Sequence, residues 1–297
     1  MKSLGNRRYA IGAVSGLGSA ILFGLSAPFA KLLLPRMSPW LLAGLLYLGA
    51  GLGLSIVRVL SHGRHTDDAA DRLRRKDLPR LLAIVLTGGA VGPVLLMVGL
   101  TRVSGVVGSL LLNLEAVFTV ALAVLAYRER LSRTESLGAL LVIAGAALVS
   151  YRPDSWRADV MGTLAIAGAC FSWALDNNLT RQISIRNPVQ IVQVKTLSAG
   201  IGNVVLAMMA GHRAPLSIVP AALLLGFVSY GLSIVLDVYA LRYIGAAREA
   251  AFFAIAPFAG AVAAVPVLGE RFTANALGAG ALMALGIAFI VRGWPTR

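Results

Sequence analysis

The chain has 297 residues, 58% of them apolar and 13% charged, with a formal charge of +14. A soluble domain carries roughly 25% charged and 45–50% apolar residues, so a soluble fold is excluded. The cations stand in short runs between long apolar segments, a pattern of membrane topology and not of a nucleic-acid surface.

A helix rises 1.5 Å per residue, so roughly 20 apolar residues cross the ~30 Å hydrocarbon core. Ten segments meet that length: 9–34, 39–60, 79–100, 103–127, 135–151, 160–180, 188–210, 216–241, 246–268 and 273–292. Lipid leaves no backbone group unpaired, and the alternation of a barrel strand is missing, so the segments are predicted as helices. The first segment has no small-residue cleavage pattern and is read as a span, not a signal peptide.

The first, third and ninth segments hold Pro28, Pro93 and Pro257. A proline removes a backbone hydrogen bond, which makes these three the candidate hinges. Gly12/Gly16, Gly49/Gly53 and Gly88/Gly92 have the spacing that lets helices approach closely. Between the second and third segments, 61–80 is the one long polar connection, read as a solvated topology determinant; its His62 and His65 lack further ligands for a metal.

The fourth segment carries Glu115 near its middle. A carboxylate at that depth costs at least ~2.5 kcal/mol on insertion scales, so it should face a wet cavity, pair with a cation or be protonated through desolvation, in the last case as a hydrogen-bonded packing residue. Glu115 is the candidate for binding a solute amine or carrying a proton. Asn113 stands two positions away, which on a continuous helix turns it aside from Glu115. The sixth segment holds Trp173, Asp176 and Asn177, the seventh Lys195, and the eighth Ser229, Tyr230, Asp237 and Tyr239. Lys195 is expected to pair with Asp176 or Asp237. The amides, hydroxyls and aromatic edges suit an amphipathic solute such as an amino acid. The same group also fits a plain structural ion pair and interfacial anchors.

Lys and Arg place nineteen cations on the side of the N-terminus and seven on the other, which puts both termini in the cytoplasm. The chain divides into 1–152 and 153–297, five segments each. An odd number of spans inverts the second copy. Both fourth and ninth segments end in a Glu-Arg pair, Glu129-Arg130 and Glu270-Arg271, and residues 24–31 align with 174–181. The ninth has Ala256-Pro257 where the fourth has Glu115-Ala116, so a helix break is expected in one half only. Glu129 and Glu270 are expected near the starts of the following helices, and Ser132 with Glu135 reads as a capping box.

Ten spans, two five-helix halves and those Glu-Arg endings resemble the drug/metabolite transporter (DMT) superfamily, EamA type, and within it YddG-like bacterial amino-acid exporters. The resemblance implies an all-α integral membrane fold, two inverted five-helix repeats around a central cavity, with the fifth and tenth helices outside. It also implies export of small metabolites across the bacterial inner membrane.

The expected function is a secondary transporter of amino acids, aromatic or hydrophobic ones among them, or similar solutes by alternating access. Its partners are the small-molecule solute, the lipid bilayer and, as a coupling ion, protons through Glu115; nucleic acid is not among them. No Walker-type phosphate loop is present, and no cofactor or metal is called for. The alternatives are an integral-membrane enzyme acting on lipid-linked substrates, which would want clustered His, Asp or Glu, and a passive channel.

Overall fold

The computed structural model describes residues 2–60, 73–127, 132–151, 156–183, 187–244 and 246–293. These are helical with short connections, and no strand occurs among them. Nine stretches are long and apolar enough to cross a membrane: Tyr9–Arg36, Pro39–Leu60, Arg75–Leu100, Gly105–Leu122, Arg133–Ser150, Val189–Met209, Val219–Ala240, Ala251–Leu268 and Ala274–Arg292. They fall on nine of the predicted segments. The remaining predicted segment, the sixth, lies within α9 (Trp156–Arg181), whose 26 residues have the length but include Asp176 and three further charges. Most of the 61–80 connection and the Glu129-Arg130 pair lie outside the described residues.

The first segment is α1 (Lys2–Gly24) and α2 (Ser26–Leu33), parted by a turn at Leu25 three residues before Pro28. The second is α3 (Pro39–Leu60). The third runs through α4 (Leu78–Ile84), a π-helical stretch at Val85–Val91 and α5 (Gly92–Leu100). The fourth is α6 (Gly105–Leu111) and α7 (Leu114–Tyr127) with a turn at Leu112-Asn113. The fifth, α8 (Arg133–Ser150), starts on the expected capping box: Ser132 N–H donates to Glu135 Oε2 at 2.7 Å and Glu135 N–H to Ser132 Oγ at 3.2 Å.

After α9 come α10 (Pro188–Met209), then α11 (Val219–Gly226), a second π-helical stretch at Phe227–Leu232 and α12 (Ser233–Ile244). The ninth segment is α13 (Ala246–Phe253) and α14 (Ala256–Leu268), with a turn at Ala254-Ile255 just before Pro257. The tenth is α15 (Ala274–Gly293). The break expected in one half only is therefore corrected: the fourth segment is broken as well as the ninth. A proline is sufficient but not necessary, because side chains can take up the freed backbone groups. Asn113 Nδ2 donates to Leu110 O at 2.9 Å, and the Cys170 thiol points at Leu111 O and Leu112 O, 3.7 and 3.8 Å away.

Each of the first four segments packs on more than one other. The first lies on the eighth and ninth, the second on the seventh and eighth, the third on the sixth and seventh, the fourth on the sixth and ninth, and the fifth on the tenth. That set is unchanged when each segment is exchanged for the one five places along. Glycine makes the close approaches: a Cβ on Gly138 would meet Gly286 O, and one on Gly286 would meet Gly138 O. The three glycine pairs of the sequence face neighbours in the same way, Gly12/Gly16 the eighth and ninth segments, Gly49/Gly53 the eighth, and Gly88/Gly92 the sixth. The outer faces are apolar, with Val14, Leu52, Leu86, Leu140, Leu224 and Leu277 exposed, as a lipid-facing surface requires.

One end of the bundle is tied across the sequence. Gly269, with φ at +67°, ends α14 in the left-handed conformation that glycine adopts without a Cβ penalty. Glu270 then accepts from Gly105 N–H and Val106 N–H at 2.6 and 2.8 Å. The expectation that Glu270 meets the start of the tenth helix is corrected: it closes the start of the fourth, and Thr273 Oγ1 takes the Ala276 N–H of the tenth at 3.1 Å. Beside it, Lys31 Nζ donates to Leu100 O at 2.6 Å and Val103 O at 2.7 Å, satisfying carbonyls where the third segment ends.

Candidate functional site

The π-helical stretch of the third segment shapes the centre of the bundle. Gly92 N–H bonds to Thr87 O, five residues back. In that register the next carbonyl, Gly88 O, is due to the nitrogen of Pro93, which carries no hydrogen. Two side chains replace the missing donor: Tyr47 Oη at 2.8 Å and Trp173 Nε1 at 3.0 Å. Gly88 also has no Cβ where the Asp176 carboxylate lies, and the Trp173 indole packs over Gly92. A backbone defect of α4–α5 thus fixes a tyrosine from α3 and a tryptophan from α9.

Around this point a cavity of ≈ 430 Å³ opens, walled by the first, second and fourth helical segments and the sixth to tenth. Its apolar side is an aromatic cluster. Phe23 meets Tyr230 edge-on at 5.6 Å, Phe253 at 5.2 Å and Trp173 at 6.5 Å, and Tyr47 lies 5.5 Å from Tyr230. Such pairs hold each other in place and offer faces and edges to a solute. Among the described residues its polar side holds four carboxyl groups, Glu115, Asp176, Asp237 and Glu249, against the one ammonium of Lys195.

Lys195 pairs with Asp176, as expected from the sequence. Thr180 Oγ1 supports the second carboxylate oxygen of Asp176 at 3.4 Å. Glu115 Oε1 accepts from Asn177 Nδ2 at 2.8 Å. The carboxyl groups of Asp237 and Glu249 face one another, and Asp237 Oδ1 has no hydrogen-bond partner.

Of the sequence candidates, Asn113, Glu115, Trp173, Asp176, Asn177, Tyr230 and Asp237 come together in this cavity, with Pro257 in its wall. Asn113 is corrected in direction. The turn at Leu112-Asn113 swings it to the same cavity as Glu115, whereas a continuous helix would have turned it aside. Two candidates are elsewhere. Ser229 is buried in the second π-helical stretch, where its carbonyl accepts from Ser233 Oγ at 2.6 Å. Tyr239 stacks on Tyr243, centroids 6.4 Å apart and planes 10° apart. Pro28 is buried in α2, and Pro93 follows the first π-helical stretch in α5.

Sequence reasoning missed Glu249, Phe23 and Phe253. Glu249 stands near the start of the ninth segment, beside Arg248, and a carboxylate at the edge of an apolar stretch was the available signal. Nothing in the sequence distinguishes Phe23 or Phe253 from lipid-facing phenylalanines. Among the described residues no three His, Cys, Asp or Glu are grouped as a metal site needs.

The sequence pattern of the EamA-like transporter family matches residues 10–151 and, a second time, residues 160–292. An uncharacterized transporter of Methanothermobacter thermautotrophicus is 30% identical over 93% of this chain and 84% of its own. A probable terminal-alkyne amino-acid exporter of Streptantibioticus cattleyicolor is 28% identical over 74% of this chain and 75% of its own. Among solved structures, one crystal structure superposes with a TM-score of 0.67 at 18% identity, covering 94% of both chains, a likeness of fold alone.

Proposed function

Because the chain belongs to the EamA-like transporter family, we propose that this multi-pass membrane protein is a secondary carrier that exports amino acids or similar amine-bearing metabolites by alternating access. Ten spans form two inverted repeats, 1–152 and 153–297, with both termini in the cytoplasm and the bundle in the bacterial inner membrane. The carrier is not an enzyme, and its cavity is the solute site.

The observation that carries this reading is the pairing of segments, first on eighth and sixth on third, with second–seventh, fourth–ninth and fifth–tenth closing on themselves. A pseudo-two-fold axis between two copies produces that set. The π-helical stretches in the third and eighth segments, the breaks in the fourth and ninth, and the two matches of the family pattern support it. A bundle built twice over can exchange the arrangements of its two ends, which is how a carrier opens to one side and then the other. Helix breaks and π-helical stretches supply the backbone that absorbs the movement.

The substrate class is supported by the aromatic and acidic lining and by the relative named as a probable amino-acid exporter. Glu115 is the group through which protons would couple. Counterflow in proteoliposomes tests the reading: internal unlabelled amino acid should accelerate uptake of the labelled one. Flux without trans-acceleration would indicate a pore, and a chemically altered solute an enzyme.

A further inference from the structure

The hydrogen-bond account of the cavity is lopsided. Donors are largely committed to the protein: Trp173 and Tyr47 to Gly88 O, Asn177 to Glu115, and the Asn113 amide to Leu110 O. The charge of Lys195 is matched by Asp176. Acceptors are left over. Among the buried side-chain polar atoms without a partner, two belong to cavity-lining residues, Asn113 Oδ1 and Asp237 Oδ1, and both are oxygens. Asn113 is 3% exposed, so its free acceptor has no bulk solvent to fall back on. An unpaired buried acceptor is destabilising until something donates to it.

Asp237 lies against Glu249, two carboxyl groups with no cation between them among the described residues. Phe253 lies one helical turn beyond Glu249 on α13 and lines the same cavity. Aromatic faces beside carboxylates are the surroundings in which an organic ammonium is held, by charge and by the ring quadrupole together.

We propose that the Asp237–Glu249 pair is the seat of the solute's ammonium group and that the cavity prefers an organic monocation, an amine with an apolar body, over a zwitterionic amino acid. A zwitterion brings a carboxylate as well, and among the described residues the one cation of the wall already has a partner. The proposal rests on the carrier reading for its biological meaning but names a binding property that is measured without transport.

The test is calorimetric titration of the purified full-length protein in detergent with four probes: phenethylamine, hexylamine, phenylalanine and 3-phenylpropionate. The amines should bind at least about tenfold more tightly than phenylalanine, and 3-phenylpropionate no better than buffer. Asp237→Asn and Glu249→Gln should each weaken amine binding by about tenfold or more. Thermal unfolding of both variants shows that they are folded, and Glu249→Asp should recover part of the affinity. Equal or tighter binding of phenylalanine or phenylpropionate, amine binding unchanged in folded neutral variants, or no binding by either amine would overturn the proposal. Amine binding in detergent with no exchange across liposomes would sink the carrier reading and leave the site standing. Phenylalanine exchange without amine binding would do the reverse.

Discussion

The carbonyl of Gly88 lies 3.0 Å from the indole nitrogen of Trp173, on a helix eighty-five residues away. The bond exists because a π-helical register and Pro93 together deny that carbonyl a backbone donor. The same glycine leaves room for the carboxylate of Asp176.

Gly88→Ala should therefore be costly. Its methyl group would enter the space of Asp176, forcing side chain or backbone to move at about 1–3 kcal/mol. Gly202 has open space where a Cβ would go and stands inside α10, so Gly202→Ala should not lower stability and should raise it by up to about 1 kcal/mol. Thermal unfolding of the two variants side by side in detergent checks this, and equal midpoints would remove Gly88 from the account.

The Lys195–Asp176 pair is mostly out of solvent, with side chains 17% and 5% exposed. Removing one member strands the other, at about 3–5 kcal/mol for a fully buried pair and less here, where the Lys195 side chain keeps some exposure. Lys195→Met or Asp176→Leu alone should destabilise more than the double substitution does. A double-mutant cycle by thermal unfolding measures the coupling. Additive losses would mean that the two charges stand independently.

Glu270 and Lys31 tie the ends of four helical segments together. Glu270→Gln should loosen that end, since a neutral amide holds two N–H groups less firmly than a carboxylate does. A cysteine placed at Ser104, with Cys170 replaced, reports it through its rate of reaction with a membrane-impermeant maleimide. The rate should rise by about tenfold, the effect of roughly 1.4 kcal/mol. An unchanged rate would show that packing alone closes this end.

Glu115→Gln keeps the Asn177 contact in shape but removes the ionisable group. If protons couple through Glu115, counterflow by the variant should lose its dependence on pH while substrate exchange persists. Wild-type pH dependence in the variant would assign the proton to another carboxyl of the cavity.

The site was legible where a single residue was out of place in its segment. Glu115 in an apolar stretch had to meet something polar, and it meets Asn177. Lys195 in the seventh segment needed a counter-ion, and Asp176 supplies it. The partner of Glu270 was not legible, because a carboxylate next to two helix starts suits either, and only the path of the chain decides.

The sequence by itself determined the class of the molecule. Hydropathy is summed along the chain, and segments this apolar are stable only as helices in lipid whatever their neighbours are. It also determined which charges would need partners. The tertiary structure alone decided where helices break and which aromatic rings gather. Both depend on the register of segments far apart in the chain: Phe23 reaches Phe253 only because the first segment packs on the ninth, and the fourth turns at Asn113 with no proline to announce it.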